Sequence, residues 1–173
     1  DGWIWLPETL SAFGSYWGAP AVVVLMLVWR RRQVRERSTP LDVQLCRFVI
    51  GLVFAFAGTA VLKAMFALPR PFVVLGDAVY RVHAAPDSRY TMPSGHSVYV
   101  GVLAAALWPA LGRAGRVGLL VFAAAVGWSR IVLGAHFPMD VITGLALGGT
   151  CVAAAGAWVQ RIARGVPMAG PRW

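Results

Sequence analysis

The chain has 173 residues, of which 58% are hydrophobic and only 13% are charged. This composition is too apolar for an ordinary soluble domain of this length and is typical of a membrane protein. The net charge of +9 would suit a nucleic-acid-binding protein. The basic residues, however, lie mainly in short runs between apolar stretches, where they set membrane orientation, so we expect no nucleic-acid partner.

The apolar stretches predict an all-α fold, a polytopic transmembrane helical bundle of about five spans that forms a single domain over residues 1–173. The predicted spans are, in chain order, residues 11–29, 47–68, 93–111, 117–133 and 141–159. Residues 1–10 carry Trp3 and Trp5, which favours an N-terminal interfacial segment, although a lead-in to the first helix fits equally well. Because the sequence begins without a methionine, an earlier span can precede it, which would make six.

The distribution of lysine and arginine predicts the orientation of these spans. Eleven of the sixteen lie in or beside the loop after the first span, in the turn after the third span and in the C-terminal tail; the other five lie on the opposite side. The positive-inside rule therefore places the first group in the cytoplasm. Tryptophans near both sets of span ends agree with this topology, as aromatic belts predict.

Three groups of polar residues then fall at the outer ends of the spans, and the first lies where the second span ends. Arg70 is held between Pro69 and Pro71, whose rings restrict the backbone. Its planar guanidinium can therefore be presented to phosphate oxygens with little loss of freedom. Lys63 adds a compact positive charge, although a lysine that merely reaches the membrane surface from a helix end explains it as well.

The second group, residues 90–97, opens the third span. Pro93 is expected to begin a helix whose N–H groups and positive dipole end, at Ser94 and Gly95, suit an anion. Ser94 can equally be a simple helix cap. His96 places a candidate proton donor at the edge of this anion site.

The third group lies within residues 129–140, which read SRIVLGAHFPMD. Charged side chains in a lipid environment are costly unless they face one another or water, so Arg130, His136 and Asp140 need an explanation. Arg130 can hold a phosphate through two hydrogen bonds, and Asp140 can accept a hydrogen bond from one nitrogen of His136. The other nitrogen could then attack phosphorus. A buried His–Asp pair without a catalytic role is the alternative.

Two further features are interpreted as structural. Gly144 and Gly148 form a GxxxG pattern in the fifth span, which we interpret as close packing within the chain and not as a dimer face. The predicted outer loop, residues 69–92, contains side chains that could select a head group but that we interpret as solvated loop residues. They are Asp77, Arg81, His83, Asp87 and Arg89.

Together, the three groups resemble the signature of the type 2 phosphatidic acid phosphatase (PAP2) superfamily of lipid phosphatases, which also resembles vanadium haloperoxidases and bacterial acid phosphatases. The family blocks are lysine, six residues and Arg-Pro; Pro-Ser-Gly-His; and Ser-Arg, five residues, His, three residues and Asp. They match Lys63 with Arg70 and Pro71, then Pro93 to His96, then Ser129 and Arg130 with His136 and Asp140. Every position is filled in order. Close membrane relatives commonly have six spans, whereas this chain shows five.

The resemblance implies a phosphatase mechanism that uses no metal and no cofactor. It implies that His136 attacks phosphorus to form a phosphohistidine and that Asp140 orients His136. It further implies that His96 protonates the leaving oxygen and then helps to activate water. The implied phosphate-binding residues are Lys63, Arg70, Ser94, Gly95 through its amide, and Arg130.

The leading hypothesis is therefore a metal-independent lipid phosphate phosphatase in a bacterial inner membrane, with its site facing the periplasm or the outside. Its partners would be membrane lipids and one lipid substrate: undecaprenyl diphosphate, phosphatidic acid, phosphatidylglycerol phosphate or a lipid A phosphate. The sequence does not rank these four, and it predicts no oligomeric state. A lipid phosphotransferase is one alternative. A non-catalytic lipid-binding or transport protein is another, although binding alone needs only the cations and not His96, His136 and Asp140.

Overall fold

The computed structural model describes residues 2–33, 40–79 and 89–165, and the regular secondary structure in these ranges is helical. The α-helices are α1 (Trp5–Phe13), α2 (Ala19–Gln33), α3 (Pro40–Phe66), α4 (Pro71–Val74), α5 (Gly95–Leu107), α6 (Arg113–Val132) and α7 (Pro138–Gly165). Short 3-10 turns lie at Tyr16–Gly18, Gly76–Ala78 and Trp108–Ala110. The predicted all-α transmembrane fold is confirmed.

Within the described ranges, three stretches are long and apolar enough to cross a membrane: Val43–Val74, Arg113–Val132 and Pro138–Ile162. They correspond to the second, fourth and fifth predicted spans. A fourth crossing is present if α1 and α2, which meet at an angle of 48°, are counted as one broken span. The chain is therefore a membrane protein with several spans.

The first predicted span, residues 11–29, is interrupted by this bend. α1 ends before Gly14, and the Ser15 hydroxyl accepts a hydrogen bond from the Trp17 backbone N–H (3.4 Å), which caps the following turn. A Cβ at Gly14 would lie 2.7 Å from Cγ2 of Val126 in α6. The missing side chain lets α1 pack closely on α6, so residues 11–13 belong to α1 and not to a straight span.

The third predicted span, residues 93–111, contains a shorter helix than expected. α5 has 13 residues and passes into the 3-10 turn that contains Pro109. At 1.5 Å per residue it is roughly 20 Å long, less than the ~30 Å hydrocarbon layer. α5 packs against α3, α6 and α7, and most of its side chains from Ser97 to Leu103 are buried. It is the central helix of the bundle, and its neighbours form much of the membrane-facing surface.

Glycines of α7 allow this central helix to approach the α7 backbone. A Cβ at Gly144 would lie 2.8 Å from the Ser94 carbonyl oxygen, and a Cβ at Gly148 would lie 2.6 Å from the Val102 nitrogen. Gly101 faces the Leu145 backbone in the same way. The GxxxG pattern therefore packs inside the chain, as the sequence predicts.

The chain direction brings four helix ends together at one end of the bundle. The carboxyl ends of α3 and α6 meet the amino ends of α5 and α7, because the backbone N–H of Ser94 donates to the Asp140 carbonyl oxygen (3.0 Å) and that of Thr91 donates to the Leu68 carbonyl oxygen (2.9 Å). In the predicted outer loop, Asp77 and Arg89 are exposed. Arg81, His83 and Asp87 lie outside the described residues.

Candidate functional site

His136 lies in the short connection between α6 and α7. Gly134 has φ of 63°, a backbone conformation that glycine adopts at little cost, and it turns the chain after α6. The backbone N–H groups of Ala135 and His136 both donate to the Arg130 carbonyl oxygen, at 3.1 and 3.2 Å. These bonds fix the backbone under the His136 side chain, which is buried.

The predicted neighbours His136 and Asp140 lie side by side, and Thr91 contacts both of them. Nδ1 of His136 lies 3.6 Å from Oδ2 of Asp140, which is longer than a normal hydrogen bond. The Thr91 hydroxyl lies between them, 3.2 Å from His136 Nδ1, and it donates to Asp140 Oδ2. The Phe137 backbone N–H donates to the same carboxylate oxygen at 2.7 Å. Asp140 is therefore held by two donors while Thr91 connects it to the imidazole.

Burial lowers the pKa of His136 from its usual 6.5 to about 4. The interaction with Asp140 opposes this shift, whereas the positive charges of Arg70, Arg130 and Lys63 add to it. The imidazole is therefore neutral near pH 7, and one of its nitrogens carries a lone pair.

The three cations surround this imidazole and come from different parts of the chain. Arg70 follows α3, is almost fully buried, and donates from Nη1 to the Ala135 carbonyl oxygen at 3.1 Å. Arg130, in the last turn of α6, is also buried and donates to the Ser11 hydroxyl of α1. Lys63, near the end of α3, donates to the Tyr90 carbonyl oxygen at 2.7 Å. The net positive charge of this cluster suits an anion.

The amino end of α5 forms another side of the site. Ser94 is fully buried; its hydroxyl accepts hydrogen bonds from the backbone N–H of Ser97 (3.5 Å) and from the Ser97 hydroxyl (3.1 Å). Ser94 thus acts as the helix cap that the sequence offered as an alternative to phosphate binding. A Cβ at Gly95 would have no heavy atom within 4 Å, so space is open beside this glycine. His96 is partly exposed and lies within electrostatic reach of Arg130, His136 and Arg70.

All the predicted site residues thus lie at one end of the bundle, although their roles remain predictions. Sequence reasoning missed Thr91 and Ser11. The only feature of the sequence that could have pointed to Thr91 is its position two residues before the Pro-Ser-Gly-His block. Ser11 is 119 residues from Arg130, and nothing in the sequence links the two. Ser129, which had no predicted role, donates from its hydroxyl to the Val126 carbonyl oxygen of its own helix (2.7 Å).

The family model of the PAP2 superfamily matches residues 44–164, which include these site residues apart from Ser11. The chain belongs to the PAP2 superfamily. It is 31% identical over 156 residues to a lipid A 1-phosphatase of Rhizobium johnstonii, covering 83% of this chain and 62% of that protein. It is 28% identical over 162 residues to an undecaprenyl-diphosphatase of Sulfolobus acidocaldarius, covering 94% of this chain and 69% of that protein.

The same fold is seen in a solved structure. The crystal structure of Aquifex aeolicus LpxE superposes with a TM-score of 0.72 at 20% identity, covering 88% of this chain and 84% of that one. Matches to three of the curated relatives span only 27% to 62% of those proteins' lengths. The family and the fold are therefore established by the comparisons.

Proposed function

We propose that the chain is a membrane lipid phosphatase of the PAP2 type that removes a phosphate from a lipid through a phosphohistidine at His136. The observation that carries this proposal is the surroundings of His136. One side of its ring, at Nδ1, is held by Thr91 next to Asp140, and cations surround the imidazole. An oriented neutral imidazole in a positive, membrane-embedded site suits nucleophilic attack on a phosphate anion.

In the first step, Nε2 of His136 attacks phosphorus while the bond between phosphorus and the lipid oxygen breaks. The Nδ1 proton faces Thr91, which leaves the lone pair on Nε2. The phosphate anion beside His96 favours the protonated form of this imidazole, and His96 then donates its proton to the departing lipid oxygen. Arg70, Arg130 and Lys63 neutralise the charge on the phosphate oxygens, which spread outward in the five-coordinate transition state. The products of this step are the lipid alcohol, or a lipid monophosphate from a diphosphate, and phosphohistidine.

In the second step, water attacks the phosphorus of phosphohistidine, and the bond to Nε2 breaks. His96, now neutral, takes a proton from the water, which restores the protonated form that it had with the substrate bound. Inorganic phosphate leaves, and His136 returns to its neutral form. Among the residues that the structure describes, no group of three or more His, Cys, Asp or Glu side chains could bind a metal. Metal independence remains a prediction for the chelator experiment below.

The substrate follows from the position of the site on a membrane bundle. A lipid keeps its tail in the bilayer while its phosphate reaches the helix ends. The named relatives act on lipid A and undecaprenyl diphosphate, which supports these two beside phosphatidic acid and phosphatidylglycerol phosphate. The excess of lysine and arginine in the sequence segments predicted to be cytoplasmic supports a site on the outer face of an inner membrane.

The test is phosphate release by the purified protein from these four lipids, in one detergent and with a chelator present. We expect activity on at least one lipid, and a loss of roughly 10⁴-fold or more in kcat for His136→Ala, as for other covalent nucleophiles. Thr150→Val is the matched control, because the Thr150 hydroxyl is exposed and donates to Leu147 of its own helix (2.9 Å).

Several outcomes would contradict the proposal. Full activity of His136→Ala excludes this nucleophile, and loss of wild-type activity with the chelator excludes metal independence. Transfer of the phosphate to a second lipid without release of inorganic phosphate identifies a phosphotransferase. An alkaline quench followed by mass spectrometry should show a phosphorylated peptide that contains His136, because phosphohistidine survives at high pH.

A further inference from the structure

One hydroxyl group in the site has no part in the signature that identifies the family. Thr91 precedes the Pro-Ser-Gly-His block and belongs to no helix. Its side chain is nevertheless almost completely buried, at 1% exposure. A buried hydroxyl must form hydrogen bonds, and this one forms them with the two side chains on which the proposed mechanism depends.

The distances place Thr91 between the nucleophile and its carboxylate. Oγ1 of Thr91 is 3.2 Å from Nδ1 of His136, within hydrogen-bond range, whereas Nδ1 and Oδ2 of Asp140 are 3.6 Å apart. The direct approach of Asp140 to the imidazole is therefore longer than the approach of the Thr91 hydroxyl. The shorter connection runs from the imidazole to the hydroxyl and from the hydroxyl to the carboxylate.

The chemistry of a hydroxyl gives this connection a direction. A hydroxyl has one proton to donate and two lone pairs with which to accept. Its proton is directed at Asp140, which as a carboxylate can only accept. The hydroxyl must then accept from Nδ1 of His136, so the proton of the neutral imidazole belongs on Nδ1. The arrangement thus selects the tautomer whose lone pair is on Nε2.

The backbone around Thr91 keeps the hydroxyl in place. The Thr91 N–H donates to the Leu68 carbonyl oxygen at 2.9 Å, and the preceding carbonyl oxygen, that of Tyr90, accepts from Nζ of Lys63 at 2.7 Å. Two bonds from the end of α3 therefore hold the segment that carries Thr91. The carboxylate is held as well, because it also accepts from the Phe137 N–H.

We propose that Thr91 is a positioning residue that fixes the tautomer and the ring orientation of His136 by relaying its contact with Asp140. Thr91 does not contact the phosphate in this arrangement; it acts through His136. The kinetic consequence rests on the proposed phosphohistidine mechanism, whereas the tautomer itself is a property of the free protein. The two can therefore be tested separately.

The experiment compares Thr91→Val, which keeps the shape and removes the hydroxyl, with Thr91→Ser, which keeps the hydroxyl. We expect Thr91→Val to lower kcat by about 10- to 100-fold, the range found for groups that orient ligand histidines at metal sites. KM should change little, because no phosphate contact is lost. Thr91→Ser should recover most of the activity, and Thr150→Val should behave like the wild type.

The second readout is the ¹⁵N NMR spectrum of the His136 ring, assigned by comparison with His136→Ala. The wild type should show a neutral ring protonated at Nδ1, and Thr91→Val should shift the population toward the Nε2–H tautomer. The proposal is overturned if a folded Thr91→Val protein keeps both its kcat and the wild-type tautomer, or if Thr91→Ser is as impaired as Thr91→Val. If the wild type releases no phosphate from any lipid, the proposed function fails, and the NMR comparison still decides the role of Thr91.

Discussion

At the scale of single residues, burial keeps the imidazole of His136, the proposed nucleophile, neutral. The three cations around His136 also lower its pKa, since a further positive charge beside them is unfavourable. In the proposed mechanism this arrangement separates two tasks: the arginines and the lysine would attract the anion, and the imidazole would remain unprotonated and able to attack.

This separation predicts how His136 titrates. Its ¹⁵N signals in the unliganded protein should remain those of a neutral ring from pH 8 down to about pH 5, because burial lowers its pKa to about 4. An exposed histidine would titrate near pH 6.5. By linkage, the unfolded chain binds more protons below 6.5, so His136 should reduce stability as the pH falls from about 6.5 toward about 4. A midpoint near 6.5 for His136 would contradict this electrostatic description.

The residue roles also show the limits of sequence reasoning. The sequence nominated Arg70 from its flanking prolines and His96 from its place at a helix start. It nominated Arg130, His136 and Asp140 because ionisable residues among apolar ones demand partners. Thr91 could not be nominated, because a threonine in an irregular segment is ordinary until its neighbours in space are known. The same holds for Ser11, whose contact with Arg130 depends on how α1 folds over α6.

At the scale of elements, close backbone contacts at glycines determine how α5 and α7 pack in the bundle. α7 presents Gly144 and Gly148 to α5, and α5 presents Gly101 to α7. Hydropathy predicted three spans that the described residues contain, Val43–Val74, Arg113–Val132 and Pro138–Ile162, because apolar runs of sufficient length specify membrane helices. It could not predict that α5 would be short and central, since periodicity does not distinguish protein-facing from lipid-facing apolar residues.

The close contact predicts that alanine substitutions at two neighbouring glycines differ greatly in their effect on stability. In Gly148→Ala the new methyl group would meet the α5 backbone near Val102, so we expect a loss of about 1–3 kcal/mol, typical of overpacking. Gly149→Ala is the matched control, because nothing lies within 4 Å of its added Cβ. It should be neutral or slightly stabilising, since alanine favours a helix by up to ~1 kcal/mol over glycine. Thermal unfolding in detergent measures both; equal melting temperatures would refute the packing.

At the scale of the whole molecule, the site residues lie at one end of the bundle, and the turn between α5 and α6 lies at the other. Arg113 and Arg116 are at that second end. The charge asymmetry predicts that this second end is cytoplasmic. The site should then be open to the outside of the membrane.

The orientation can be tested with single cysteines after Cys46 and Cys151 are replaced by serine. Asp77→Cys lies in an exposed turn on the site side, and Gly112→Cys lies at an exposed position on the opposite side. In intact cells whose outer membrane has been permeabilised, a membrane-impermeant maleimide should label Asp77→Cys and spare Gly112→Cys. After lysis both should react. The reverse pattern in intact cells would place the site in the cytoplasm.

The backbone contact between α5 and α7 has a consequence for how such a protein can diversify. The proposed reacting residues His96 and Asp140 are carried by α5 and α7, and these helices approach through their backbones at Gly101, Gly144 and Gly148, where a larger side chain would not fit. Few substitutions at this contact can therefore change the geometry of the proposed reacting groups without disturbing the packing of α5 on α7. Changes in α1 and in the segment after α3 meet no such barrier, because many of their apolar side chains face outward. We expect new lipid preferences to arise there, with the reacting groups retained unchanged.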